Sequence, residues 1–135
     1  MKFGLAFASS IGTEGSSALE TCRVAEKVGF ESVWGGEHVI FPSSIESKYP
    51  YTSDGKVPAT KDTSIPDPLI WLAYVSSVAP SLRLGTCILI LPQRNPVILA
   101  KEIATLDHLT NGKVELGIGV GWLKEEFEAI GVPWE

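Results

Sequence analysis

The chain has 135 residues, 44% hydrophobic and 20% charged, with 13 Gly and 9 Pro, a composition that excludes a disordered, collagen-like or low-complexity protein. Eleven basic against 16 acidic residues give a net charge of −5, a balance unsuited to nucleic-acid backbones, so no nucleic-acid partner is expected. The longest apolar run, Cys87 to Pro92, falls far short of the roughly 20 residues of a membrane span, and the N-terminus lacks a secretory pattern; no membrane association is expected.

Lys2 to Ala8 alternates around Phe3, Leu5 and Phe7 and predicts a strand at the start of the chain, followed by a loop from Ser9 to Gly15. Ser17-Ala18-Leu19-Glu20 matches a capping box, opening a helix whose apolar face is Leu19, Cys22, Ala25 and Val28 and which closes at Gly29. Phe30 to Trp34 is a short second strand. Gly35 to Asp67 is rich in Pro, Ser, Gly, Tyr and Lys and has no periodicity. Loops of that length are usually functional.

Asp67-Pro68 pairs an N-cap with a proline at the first helical position. The helix carries Leu69, Leu72, Ala73 and Ser76 and stops at Pro80. Leu82 to Leu91 is apolar on both faces, as a parallel strand covered on both sides must be. Asn95-Pro96 repeats the cap-then-proline signature for a helix bearing Leu99, Ile103 and Leu106, closed by Asn111-Gly112. Lys113 to Val120 is a fourth strand running into Gly117-Ile118-Gly119-Val120-Gly121, and Trp122 to Ile130 begins another helix.

From Pro68 to Lys101 there is no acidic residue, while Arg83, Arg94 and Lys101 are present; the window is either buried helix and strand or a wall facing an anion. The two cysteines, Cys22 and Cys87, are too few for a disulfide framework and are expected as free thiols in a reducing cytoplasm.

Strands and helices alternating along the whole chain define an α/β class with a parallel sheet. A small doubly wound sheet and part of a (β/α)8 barrel both fit this order. A dinucleotide-binding sheet carries its glycines in the first βα turn, which here reads Ser9-Ser10-Ile11-Gly12. Four βα units amount to about half of a ~250-residue barrel. Residues 1–135 are therefore expected to form the N-terminal half of a TIM-barrel-like domain. Strands one and four would then have unpaired edges, and Leu5, Phe7, Leu116 and Ile118, expected to point inward, would lack the opposite wall. Association with a second half-barrel, from another copy in a homo-oligomer or from another polypeptide, is expected.

In a barrel the functional groups sit at the C-terminal strand ends. Three segments fall there: Trp34-Gly35-Gly36-Glu37-His38, Cys87-Ile88-Leu89-Ile90, and Gly117 to Gly121. His38, beside Glu37 and before the long loop, suits proton exchange near neutral pH; His108 lies within a helix and reads as structural. The glycine run admits close approach of a planar or anionic ligand, or equally allows tight strand–helix packing. No metal-ligand spacing, nucleophile elbow or phosphate-binding loop is present in the sequence. The residues by themselves indicate a ligand-binding α/β domain with a small-molecule substrate.

Taken together, Ala25-Glu26-Lys27-Val28-Gly29-Phe30-Glu31-Ser32-Val33-Trp34, Glu37-His38, Leu84 through Pro96, Leu99 through Gly112 and Leu116-Gly117-Ile118-Gly119-Val120-Gly121-Trp122 resemble the luciferase-like monooxygenase superfamily, in particular its coenzyme F420-dependent oxidoreductase branch. The resemblance implies a barrel that binds F420, or alternatively FMN, at its C-terminal mouth for hydride transfer. It implies a non-prolyl cis peptide at Cys87–Ile88, forming with Leu89 and Ile90 a bulge behind the cofactor ring. Glu37 would contact the cofactor, His38 would work at the reacting centre, and Gly119, Val120 and Gly121 would line the ring or its chain. A sugar-phosphate dehydrogenase of this branch carries a catalytic Glu where this chain has Trp122, so that substrate does not carry over. The alternative is a non-catalytic half-barrel acting as a binding or assembly module.

Overall fold

The computed structural model describes residues 1–134. In chain order it contains β1 (Gly4–Leu5), α1 (Ala8–Ile11), α2 (Gly15–Lys27), β2 (Ser32–Gly35), α3 (Pro68–Val75), β3 (Arg83–Thr86), β4 (Leu89–Ile90), a 3-10 turn (Leu91–Gln93), α4 (Pro96–Leu109), β5 (Val114–Glu115), β6 (Ile118–Gly119) and α5 (Lys124–Ala129). Four strands lie in the order β1-β2-β3-β5, every pair parallel, and β4 pairs with β6 beyond them.

The two cap-then-proline signatures open helices as their chemistry requires. Asp67 Oδ1 accepts from the amides of Leu69 at 2.9 Å and Ile70 at 3.0 Å, and Asn95 Oδ1 from those of Val97 at 3.0 Å and Ile98 at 3.2 Å. Each side chain satisfies donors that have no partner inside the helix. The capping box of α2 lies one turn earlier than the sequence suggests: Glu14 is the N-cap and Ser17 the third helical residue. The segment expected to be a loop after β1 contains the one-turn helix α1, entered through Phe7 at φ 54°.

The expected third and fourth strands are each interrupted, and Thr86 bridges the interruption. Its hydroxyl donates to the Gly117 carbonyl at 2.7 Å and accepts from the Gly117 amide at 3.0 Å. One side chain thus takes the place of a rung of the parallel ladder, and pairing resumes at Leu89↔Ile118 and Ile90↔Gly119.

Helices cover one face of the sheet. Val33 of β2 and Leu84 of β3 are buried in a single core with Ala18, Cys22 and Ala25 of α2, Leu72 and Val75 of α3, and Leu99 and Leu106 of α4. The period of two along a strand puts Ser32, Trp34 and Arg83 on the other face. There the Trp34 ring covers Gly85, where a Cβ would come within 2.2 Å of it, and Arg83 Nε pairs with Glu115 at 2.6 Å. Two expected inward positions are corrected by this alternation: Leu5 packs against the helix-side core, and Leu116 lines a groove with Leu99 and Ile103 of α4. Phe7 and Ile118 do line the concave side, at its upper rim.

Parallel strands, helices on one side and a concave face of polar and small residues on the other describe part of a (β/α)8 barrel. Among the described residues β1 pairs with β2 only and β5 with β3 only, leaving both outer edges unpaired. Within the acid-free window Arg83 meets Glu115 and Arg94 is enclosed by carboxylates, while Lys101 is exposed on α4. Cys22 and Cys87 are free, and burial pushes the Cys22 thiol up to about 11. No helix among the described residues is long and apolar enough to cross a membrane.

Candidate active site

The strand ends open into a cavity of about 660 Å³, within the size range of small-molecule and cofactor sites. Its floor comes from four strand ends: Phe7 after β1, Gly36 to His38 after β2, Cys87, Ile88 and Ile90 around β4, and Ile118 to Trp122 around β6. Its roof is Tyr49, Pro50, Tyr51 and Ile65 of the long loop, which has no helix or strand between Gly35 and Pro68.

The Cys87–Ile88 peptide is cis. Cys87 keeps its tie to the neighbouring strand, its amide donating to the Gly35 carbonyl at 2.7 Å. Side chains alternate through β4, so Ile88 and Ile90 face the cavity while Leu89 points the other way. Leu89 is fully buried in the helix-side core. Its expected place in the ligand wall is therefore corrected, because one residue in two along a strand faces away.

Facing Ile88 lies bare backbone. A Cβ on Gly119 would come within 2.2 Å of Ile88 Cδ1, and one on Gly121, at φ 82°, within 2.8 Å of Phe127. Val120 between them is exposed. Gly121 needs glycine for its left-handed backbone as well as for the approach of Phe127, whereas at Gly119 a side chain would press on Ile88 alone.

Glu37 lines the cavity wall, yet its carboxylate is occupied. Oε1 accepts from Arg94 Nε at 2.9 Å and from Arg94 Nη2, and Oε2 accepts from the Ile90 amide. Arg94 continues to Asp67 at 2.5 Å, the residue that caps α3. One guanidinium therefore joins the ends of β2 and β4 to the start of α3. Burial works against its charge, but the hydrogen bonds and charges of Glu37 and Asp67 prevail and raise its pKa. Sequence reading did not reveal this hub, whose members are separated by 27 and 57 residues.

His38 lines the cavity between two aromatic rings, Phe41 with centroids 4.5 Å away and Trp122 edge-on at 5.8 Å. Behind it, Nδ1 lies 3.0 Å from Oε2 of Glu126. Glu126 is completely buried and its Oε1 accepts from the amides of Val39 and Ile40, the latter at 3.3 Å. Burial opposes its ionisation, but the hydrogen bond and charge of His38, the Gln93 side chain and the Ile40 amide outweigh burial and hold its pKa below the ordinary carboxylate value. The neighbouring Glu125 accepts from the amides of Glu46 at 2.6 Å and Ser47 at 2.9 Å. His108, by contrast, is exposed on α4. Glu126 also escaped the sequence reading; a glutamate in the first turn of a short helix looks like any solvated charge.

The family model for luciferase-like monooxygenases matches residues 1–135. The chain belongs to the luciferase-like monooxygenase family. An uncharacterized protein of Mycobacterium tuberculosis is 35% identical over 133 residues, which are 98% of this chain and 46% of that protein. An F420-dependent secondary alcohol dehydrogenase, solved with an F420–acetone adduct, is 29% identical with a TM-score of 0.65 over 89% of this chain and 32% of that one. The oxygenating constituent of 3,6-diketocamphane monooxygenase from Pseudomonas putida, solved with FMN, shares the fold with a TM-score of 0.73 at 21% identity, covering 97% of this chain and 32% of that one. The chain thus spans about half the length of the mycobacterial relative and a third of the two solved proteins.

Proposed function

We propose that this chain provides the cofactor-ring seat and the proton-exchanging residue of a flavin- or deazaflavin-dependent oxidoreductase, with coenzyme F420 as the first cofactor and FMN as the second. One observation carries the reading: the Ile88 and Ile90 side chains, the bare backbone of Gly119 to Gly121 and the imidazole of His38 converge on one cavity at the C-terminal strand ends. Relatives that hold F420 or FMN in the same fold support it.

The residues present fit the tricyclic ring of either cofactor. Ile88, Ile90, Ile118 and Val120 give an apolar wall, and the missing side chains at Gly119 and Gly121 let that ring approach the backbone. The bound ring would accept or donate the hydride. His38 would exchange a proton with the oxygen of an organic substrate lying under Tyr49, Tyr51 and Trp122. Glu37 would act on this site indirectly, by fixing the Ile90 backbone. No lysine or arginine lines the cavity among the described residues. The phosphate-bearing tail would accordingly be held by the second half-barrel that pairs with the unpaired strand edges.

Absorbance titration of the purified chain with F420 and with FMN tests the proposal, with a family-length relative titrated in parallel. Binding of F420 with perturbation of its visible band is expected. Binding of FMN alone, with oxygen consumption, would overturn the choice of F420. Binding of neither by this chain, while the relative is loaded, would favour the non-catalytic assembly module.

A further inference from the structure

We propose that Glu126 is the positioning residue that determines which ring nitrogen of His38 faces the cavity. This rests on the role proposed above for His38. A histidine ring is symmetrical enough to be used either way round, and a neutral imidazole has one donor and one acceptor nitrogen. The surroundings of His38 remove that choice. Nδ1 lies 3.0 Å from Glu126 Oε2, and an ionised carboxylate only accepts, so Nδ1 must carry the proton. In the neutral ring Nε2 is then left bare, and on the cavity that His38 lines it is an acceptor matched to a hydroxyl or other donor on the bound molecule.

The carboxylate cannot turn away from this duty. Its other oxygen is fixed by the backbone amides of Val39 and Ile40, the two residues that follow His38, and the whole side chain is out of solvent. The rings of Phe41 and Trp122 lie close to the imidazole and hinder its rotation. Glu126 therefore orients the ring, sets its tautomer and anchors the chain that carries it, without reaching the substrate.

A sharp consequence follows for Glu126→Gln. The Val39 and Ile40 amides still require an acceptor, so the introduced carbonyl oxygen must face them. The introduced NH2 group then faces His38, which can meet it only with an unprotonated Nδ1. The ring proton must move to Nε2, and the cavity side of the ring changes from acceptor to donor.

The test is long-range 1H–15N NMR of the labelled full chain, at mildly alkaline pH to observe the neutral ring. With His38 and His108 the only histidines, His108→Gln assigns the signals. The Nδ1–H form is expected for His38 in the native chain and the Nε2–H form in Glu126→Gln. A native His38 protonated on Nε2, or an unchanged tautomer in a folded Glu126→Gln, overturns the proposal; the native spectrum alone decides if that variant does not fold. In a cofactor-loaded protein, Glu126→Gln should also lower kcat by roughly 10²–10⁴-fold with little change in KM. It should cost nothing further in a His38→Ala background. If the tautomer switches and the rate does not fall, the role of Glu126 stands and the catalytic role of His38 is the part that fails.

Discussion

Glu37 and Arg94, 57 residues apart in sequence, form a buried ion pair at the junction of β2, β4 and α3, with Nε 2.9 Å from Oε1 and the Glu37 side chain only 2% exposed. The pair is asymmetric. Arg94 has a second carboxylate in Asp67, whereas among the described residues Glu37 has no other cation and otherwise only the Ile90 amide. Arg94→Ala should therefore be the worse loss, leaving a buried carboxylate without its counter-charge at a cost of about 3–5 kcal/mol. Glu37→Gln, which keeps an acceptor for the Ile90 amide, should cost less. Urea unfolding of the two variants checks the order.

The first two glycines of the run should separate stability from binding. A Cβ on Gly117 would lie 2.2 Å from the Thr86 carbonyl oxygen, a backbone atom that cannot step aside. Gly117→Ala should thus destabilise by about 1–3 kcal/mol. The Cβ of Gly119→Ala would meet Ile88 alone, Cδ1 at 2.2 Å and Cγ1 at 3.1 Å, and that side chain can rotate into the cavity. That variant should melt near the native temperature yet bind F420 or FMN more weakly. Thermal melting and absorbance titration on both variants distinguish the two outcomes.

His38→Ala should lower kcat roughly 10²–10⁴-fold with little effect on cofactor affinity. His108→Ala, altering an exposed residue of α4, should leave the rate largely intact. Equal small effects in steady-state assays would return His38 to a purely structural role.

Glu125 gives a pH dependence with a definite sign. Burial works against its charge, yet Ser47 and the amides of Glu46 and Ser47 outweigh burial and lower its pKa from 4.5 to about 2. A group whose pKa is lower folded than unfolded adds stability above the unfolded value and loses it as the pH falls through the folded one. The anchor at Glu46 and Ser47 should therefore be intact at neutral pH and weaken between about pH 4.5 and 2. The amide proton shifts of these two residues should titrate together with a midpoint near 2.

The unpaired outer edges of β1 and β5, and the exposed Phe3, Val97, Leu116 and Ile118, should drive pairing with a second half-barrel. Sedimentation should show a species larger than the 14.5 kDa chain. A sharply melting monomer would overturn this expectation.

What the sequence disclosed, and what it withheld, divides by range. Asp67 and Asn95 act on amides two and three residues away, so their caps were legible, as was the alternation of strand and helix. The α2 cap was displaced because Ser17 and Glu20 reproduce the motif that Glu14 and Ser17 actually form. The short α1 was missed because it depends on Phe7 adopting a left-handed backbone, for which no glycine or asparagine gives notice. His38 was visible as a histidine at a strand end. Glu126 was not, since its significance comes from a partner 88 residues earlier. Leu89 was placed on the wrong wall because a strand apolar on both faces offers no polar residue by which to tell them apart.

The long loop has a further property in the way it is fastened. Glu125 and Glu126 hold Val39, Ile40, Glu46 and Ser47 through backbone amides, and every residue except proline supplies one. At Val39, Ile40 and Glu46 the fastening is therefore indifferent to the side chains it grips, and only Ser47 adds one, its hydroxyl accepting from the Lys124 amide at 3.2 Å. Residues beyond Ser47, including Tyr51 and Ile65 over the cavity, can be exchanged without touching either anchor, whereas Tyr49 packs edge-on against Trp122 of the floor. Tyr49 apart, the roof can be rewritten for a new substrate independently of the floor, which makes this loop the segment to randomise first in any attempt to redirect the site.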